Sequence, residues 1–158
     1  MMGAALYDAP VIAEPVLDQV TGLPTLSHLV ERIQDLQARA RVERGPRRTV
    51  LSENVLLVIS VAREKDRHAA IFTAARTASL LRALFSGEET VTLLRHGLFA
   101  VLTKDRPDLS TDRAFLVSML AEFDVHGRVW TERVPADGPA TANLLSSLLL
   151  AGDWSADN

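Results

Sequence analysis

The sequence predicts an α/β sandwich in which helices cover a central, mainly antiparallel sheet. The predicted elements follow in the order helix, strand, helix, hairpin, helix, strand, helix, so strands and helices segregate into packed layers. One strand, residues 54–61, contains five consecutive apolar residues at 55–59. Such a run is typical of a central strand that is covered on both faces.

A hairpin is predicted next to this central strand. Residues 90–94 and 98–103 are short apolar runs, and Arg95, His96 and Gly97 lie between them. A residue followed by glycine between two such runs indicates a tight turn, because glycine tolerates the positive φ that the turn requires. Residues 128–134 alternate in polarity and predict a strand near the sheet edge.

Helical spacing of apolar residues predicts four helices. The first begins near Thr25 or Ser27, either of which can cap it. The second spans about residues 66–85, and Ser110 is expected to cap the third. The last helix is expected to hold Pro139 in its first turn, where the missing N–H group costs nothing. These elements divide the chain into a flexible leader at 1–17, one domain at 18–151 and a polar tail at 152–158.

Composition and charge are those of a soluble globular domain. Apolar residues make up 47% of the 158 residues and charged residues 23%, so disorder of the whole chain is not expected. The net charge of −3 gives no general attraction to nucleic acid or to an anionic membrane. Cysteine is absent, which excludes disulfides and thiolate metal sites and favours a cytoplasmic location. The first 17 residues lack the basic and apolar regions of a signal peptide.

Two segments carry a resemblance to a known family. Asp18-Gln-Val-Thr-Gly-Leu-Pro24 matches the signature D-x-[LV]-T-G-L-P, and the hairpin at residues 93–102 resembles R-[LY]-G-G-[DE]-E-F-A-V-L. In this respect the chain resembles GGDEF domains, the catalytic domains of diguanylate cyclases, over about residues 18–150. The resemblance implies a nucleotidyl-cyclase-like central sheet. An ordinary turn before a helix is the alternative interpretation of residues 21–24.

The same resemblance implies that the catalytic positions have changed, so that the domain is degenerate. The five-letter motif corresponds to Arg95, His96, Gly97, Leu98 and Phe99. Gly97 stands where the family has an acidic metal ligand, and Leu98 stands where it has a glutamate. The other metal-binding aspartate, in D-x-D-x-F-K, corresponds to Ser60. Because Mg²⁺ requires hard anionic oxygens, no metal or other cofactor is expected to bind.

Other family features also differ from the pattern. Only Asp66 and Arg67 separate Lys65 from His68, so the loop that reads guanine in the family is expected to be deleted. The inhibitory product site R-x-x-D corresponds to residues 86–89, which contain no arginine. Lys65 is retained, and we assign it a phosphate contact as a hypothesis. The basic residues Arg39, Arg41, Arg44, Arg47 and Arg48 bind an anion in one interpretation and solvate a helix end in the other.

The resulting prediction is a catalytically inactive pseudo-enzyme that acts by protein–protein interaction in bacterial signalling or development. Its partner is another protein or a second copy of the chain. If Phe99 points into the core, strand alternation turns Leu98 towards the former cleft, where it forms an interaction patch with Arg95 and His96. The alternative is a sensor that binds GTP or cyclic di-GMP as a ligand without hydrolysis, through Lys65 and the arginines of residues 39–48.

Overall fold

The computed structural model describes residues 16–44, 50–152 and 154. The predicted leader, apart from Val16 and Leu17, and residues 153 and 155–158 of the predicted tail lie outside this range. The elements in chain order are α1 (Leu26–Arg44), β1 (Val50–Val61), α2 (Arg67–Leu84), β2 (Thr90–Arg95), β3 (Leu98–Lys104), α3 (Leu109–Glu122), β4 (Gly127–Pro135) and α4 (Gly138–Ala151).

The strands form one antiparallel sheet, as the sequence predicts. Within the described residues its order is β2-β3-β1-β4, so β1 and β3 are central and β2 and β4 form the edges. Residues 55–61 of β1 pair with both β3 and β4, apart from Val61, which pairs with β4 alone. This arrangement confirms the predicted α/β sandwich, its central apolar strand and the adjacent hairpin.

Both faces of the sheet are covered by helices, and this produces two core layers. Alternation along β1 directs Leu57 and Ile59 to the layer that contains α2 and α3 residues. The intervening Leu56 and Val58 point to the layer that contains α1 and α4 residues. Buried Gln37 of α1 supports the second layer, because its Nε2 donates to Thr141 Oγ1 of α4 at 2.8 Å and to the Pro135 carbonyl at 2.9 Å.

Helix ends follow the expected chemistry with one correction. Asp66 caps α2 by accepting a hydrogen bond from His68 N at 3.3 Å, and Asp137 caps α4 through Ala140 N at 2.8 Å. The prediction that Ser110 caps α3 is wrong. The helix begins earlier, at Leu109, and its N-cap residue is Asp108, whose side chain makes no capping bond.

The segment 18–24 forms a structured turn before α1. The Asp18 carboxylate accepts hydrogen bonds from Thr21 N at 2.8 Å and Thr21 Oγ1 at 2.9 Å. Gly22 adopts a φ of +71°, which favours glycine, and the Pro24 carbonyl accepts from Leu93 N at 2.9 Å. The signature segment therefore fixes the entry to α1 against β2.

No helix among residues 16–44, 50–152 and 154 is long and apolar enough to cross a bilayer.

Leu98 does not form the expected exposed patch. Alternation does place it opposite to Phe99, but both residues are fully buried, in different core layers. Gly152, directly after α4, lies over Leu98: a Cβ atom built at residue 152 would meet Leu98 Cδ2 at 3.0 Å. The sheet face on which Leu98 lies was expected to be exposed, but the end of α4 covers it. Leu98 is therefore a core residue.

Burial of Leu98 leads to a stability prediction. We expect Leu98→Glu to unfold the domain, because an unpaired buried carboxylate costs several kcal/mol out of a typical total of about 5–15 kcal/mol. Leu98→Met, which keeps the apolar volume, is the control and should cost less than about 1.5 kcal/mol. Circular dichroism during thermal unfolding measures both. A Leu98→Glu protein that melts like the wild type would contradict the assignment of Leu98 to the core.

Candidate functional site

A cavity of about 310 Å³ lies where β1 ends, between α2 and the turn that joins β2 to β3. It is the place where residues from several elements converge on an accessible space. Its walls come from the segment after β1, from the first half of α2, from the hairpin turn and from the residue after α4. The lining residues are Val61, Ala62, Arg63, Glu64, Ala70, Thr73, Ala74, Arg95, His96, Gly97, Phe99 and Gly152.

The cavity brings together four of the predicted site residues and leaves out three. Arg95, His96, Gly97 and Phe99 line it. Ser60, Lys65 and Leu98 do not. The predicted site is therefore only partly assembled around one space.

The hairpin turn forms one wall of the cavity, and its geometry depends on Gly97. This residue has a φ of +80°, and its carbonyl accepts a hydrogen bond from Val61 N at 2.7 Å. A Cβ atom built at Gly97 would lie 3.0 Å from the Val61 carbonyl oxygen. A side chain at position 97 would therefore require both an unfavourable backbone conformation and displacement of β1.

Arg95 has a structural contact that sequence reasoning did not predict. Its side chain is exposed, and its Nη1 donates to the Leu149 carbonyl near the end of α4 at 2.8 Å. A guanidinium at this place satisfies a carbonyl that the helix leaves without an internal partner. Arg95 thus ties the hairpin to α4, whereas His96 is exposed at the turn.

Ser60 is fully buried and lies on the same sheet face as Leu98, its cross-strand partner. Its Oγ accepts a hydrogen bond from Trp154 Nε1 at 2.7 Å. Trp154 belongs to the segment that the sequence predicts as a polar tail. Sequence reasoning missed it because one tryptophan after a helix has no periodicity, although its large apolar ring in a polar segment was an available signal.

The residues at the expected ligand positions do not fit Mg²⁺. Gly97 has no side chain, and Ser60 offers one neutral hydroxyl that is already bonded to Trp154. Divalent magnesium is held by carboxylates or phosphates in near-octahedral geometry. In the part of the chain that the structure describes, no group of three or more histidine, aspartate or glutamate side chains is placed to hold a metal.

Lys65 and Arg39 lie towards opposite ends of β1. Arg39 lines a second cavity, of about 730 Å³, together with Asn54 of β1. Lys65 follows Val61, the last residue of β1. Val61 is seven residues after Asn54, and this length of strand corresponds to roughly 23 Å. The structure therefore does not bring Lys65 and Arg39 into one binding site. Arg47 and Arg48 lie outside the described residues.

Residues 86–89, which correspond to the product-site motif, end at this second cavity. Glu88 and Glu89 line it opposite basic side chains, which include Arg32, Arg39 and Lys104. Arg32 already contacts Asp35 at 3.5 Å. With Arg106 the lining contains four basic and two acidic side chains, so basic residues predominate in it.

Comparison with known proteins gives matches only at the level of structure. The sequence matches no protein-family model and no curated protein. The FimX GGDEF domain from Pseudomonas aeruginosa has a TM-score of 0.56 and 15% identity, over 88% of this chain and 96% of that one. The GGDEF domain of DgcB from Caulobacter crescentus, in complex with c-di-GMP, has a TM-score of 0.63 and 10% identity, over 96% and 92%.

A third similar structure is that of a diguanylate cyclase with a bound protein. SiaD from Pseudomonas aeruginosa, in complex with its activator SiaC, has a TM-score of 0.60 and 16% identity, over 86% of this chain and 57% of that one. The chain has the GGDEF fold. At these identities the likeness concerns the fold, so the chemistry of the site depends on this chain's own residues. In the GGDEF fold seen here, the hairpin turn and the end of β1 meet at the 310 Å³ cavity.

The turn geometry predicts that Gly97 resists substitution. We expect Gly97→Ala to cost at least about 1–2 kcal/mol, because a non-glycine residue at positive φ is strained and its Cβ atom would crowd Val61. Gly138→Ala is the matched control, since a Cβ atom there meets nothing within 4 Å. Chemical denaturation monitored by circular dichroism measures both variants. Equal denaturation midpoints for Gly97→Ala and Gly138→Ala would show that the turn does not need glycine.

Proposed function

We propose that this chain is a catalytically inactive, degenerate GGDEF-like pseudo-enzyme of the bacterial cytoplasm. In this proposal it acts through protein–protein interaction in a signalling or developmental pathway. The observation that carries the proposal is the state of the two positions that the family resemblance assigns to metal ligands. Ser60 is buried beneath Trp154, and Gly97 occupies a turn with no room for a carboxylate.

The chemistry of phosphoryl transfer explains why these positions matter. Catalysis of such reactions consists mainly of positioning the phosphates and neutralising their developing charge. Metal polarisation contributes several kcal/mol to this, and each ~1.4 kcal/mol changes the rate about tenfold. A serine hydroxyl and a glycine supply neither charge nor ligands. The residues at positions 60 and 97 therefore support the proposal that the protein does not convert GTP.

A nucleotide sensor is supported less well than a protein-binding role. That alternative relies on Lys65 acting with the arginines of residues 39–48. The separation of roughly 23 Å along β1 between Asn54, beside Arg39, and Val61, before Lys65, argues against one nucleotide reaching both. The c-di-GMP in the DgcB complex and the SiaC activator bound to SiaD illustrate the two kinds of ligand that proteins of this fold take.

A surface on α2 and α3 supports the interaction role. Phe72 and Phe115 are 59% and 47% exposed, which is high for phenylalanine in a folded domain. The Arg76 guanidinium lies between two rings, 4.5 Å from the Phe72 centroid and 4.8 Å from that of Phe123. Arginine stacked with aromatic residues is typical of the centres of protein interfaces. We name Phe72, Arg76 and Phe123, which these contacts join, the aromatic surface.

Catalytic silence is the first expected result. Purified protein incubated with GTP and either Mg²⁺ or Mn²⁺ should yield no cyclic di-GMP above a reaction without enzyme, because no carboxylate stands at position 60 or 97. Liquid chromatography with mass spectrometry measures the product, and an active diguanylate cyclase is the positive control. Product that disappears when Lys65 or Glu64 is mutated would overturn the proposal.

The double variant Ser60→Asp/Gly97→Asp is a control for the same proposal. It should also remain inactive, because an aspartate at position 97 would be strained at positive φ and one at position 60 would be buried beneath Trp154. Its folding must be verified by circular dichroism before activity is interpreted. Turnover by a folded double variant would show that only the two carboxylates are missing.

Loss of interaction is the expected effect of charge on the aromatic surface. Phe72→Glu should reduce self-association in sedimentation velocity, while its unfolding free energy changes by no more than about 1 kcal/mol, the typical value of an exposed cation–π contact. Ser147→Glu adds the same charge on exposed α4, on the other side of the sheet, and should sediment like the wild type. Identical sedimentation of all three proteins would rule out a second copy as the partner at this surface.

A further inference from the structure

Trp154 is held against the end of the sheet by three different contacts. Its Nε1 donates to Ser60 Oγ at 2.7 Å. Its backbone carbonyl accepts from Arg63 N at 2.8 Å. The face of its ring lies under the Arg128 guanidinium, 3.9 Å from the ring centroid. The contacts therefore engage the N–H group, the π face and the main chain of one residue.

The groups that make these contacts lie in the sheet or directly after its central strand. Ser60 of β1 and Arg128 of β4 are direct cross-strand partners, so their side chains stand side by side on one face. Arg63 N follows two residues after the end of β1. Sheet pairing fixes the positions of Ser60 and Arg128, and the backbone N–H of Arg63 lies in the segment directly after β1.

Together the groups specify a ligand chemistry. A buried hydroxyl is an acceptor for one N–H donor, and a guanidinium favours the face of an aromatic ring, with indole the best partner. The backbone N–H of Arg63 selects a carbonyl group next to the ring. A planar aromatic group with an N–H donor, above all a tryptophan residue, satisfies all three requirements.

We propose that Ser60, Arg128 and the Arg63 N–H form an indole-binding site that the chain fills with its own Trp154. The site lies beside the 310 Å³ cavity, because Gly152, two residues before Trp154, lines that cavity. The site does not depend on the pseudo-enzyme proposal, since it requires neither a nucleotide nor a protein partner. Removing Trp154 should leave a vacant site that accepts an indole from solution.

Chemical rescue tests this proposal. Trp154→Ala should lower the melting temperature of the chain by several degrees, because the loss leaves the Ser60 hydroxyl and Arg128 without their aromatic partner. N-acetyltryptophanamide should then raise the melting temperature in a concentration-dependent way, since a ligand that binds the native state alone stabilises it. Differential scanning fluorimetry measures the shift. The wild type, whose site is occupied, should show little change.

Two further compounds separate the sources of binding. Free indole keeps the ring and the N–H group but lacks the carbonyl, so it should rescue less than N-acetyltryptophanamide. N-acetylphenylalaninamide keeps the carbonyl and lacks the N–H donor, and should also rescue less. Adding Ser60→Ala to Trp154→Ala removes the acceptor, and the advantage of the tryptophan compound over the phenylalanine compound should disappear.

Trp130 supplies the matched control. It lies on β4, packs against the second core layer and donates its Nε1 to Glu132 at 3.1 Å. Trp130→Ala also removes one tryptophan, but it leaves the proposed site filled, so N-acetyltryptophanamide should not raise its melting temperature. If Trp154→Ala fails to fold, Trp154→Phe keeps the ring and tests the N–H contact alone.

Three results would overturn the proposal. One is a Trp154→Ala protein that melts at the wild-type temperature, which would show that the contacts are incidental. A second is a lowered melting temperature that none of the compounds raises, which would show that Trp154 stabilises the chain only through its covalent attachment. Equal rescue of Trp154→Ala and Trp130→Ala would show non-specific binding and would also exclude the site.

Discussion

The burial of β1 on both faces is the constraint on which the rest of the structure depends. Leu57 and Ile59 enter one core layer and Leu56 and Val58 the other, so every helix has apolar surface to cover. A strand that is apolar on both faces does not fix its own register, because a slip of one residue only exchanges similar side chains. The register is instead defined at the end of the strand. There the Gly97 carbonyl bonds to the N–H of the last strand residue, and Ser60 bonds to Trp154.

Much of this fold could be predicted from the sequence because short stretches of residues determine the individual strands, turns and helix ends. The five apolar residues at 55–59 predict a buried strand, and the glycine between two apolar runs predicts a tight turn. The structure agrees with both predictions. Asp66 lies directly before the first residue of α2, and its carboxylate caps this helix. Ser110 failed as a predicted cap because serine is equally acceptable within a first helical turn, and α3 begins two residues earlier than a cap at Ser110 implies.

The candidate site was harder to predict, because its composition is set by contacts between distant segments. Alternation correctly placed Leu98 opposite to Phe99, yet it contained no information on what covers each face. The cover on Leu98 comes from Gly152, more than fifty residues later in the chain. Trp154 follows shortly after it, and neither residue belongs to a periodic pattern. Sequence periodicity describes one element at a time, whereas the cover over Leu98 and Ser60 depends on where α4 ends.

The cover over Ser60 and the lack of a carboxylate at position 60 are two aspects of one arrangement. A carboxylate at position 60 would need water or a metal to balance its charge, and burial of an unpaired carboxylate costs several kcal/mol. Position 60 is fully buried, and serine has a hydroxyl that a single indole N–H satisfies. Arg128, which is exposed beside it, places its guanidinium over the ring of Trp154. At the end of β1 in this chain, Ser60, Arg128 and Trp154 therefore match an aromatic cover and not a hydrated metal.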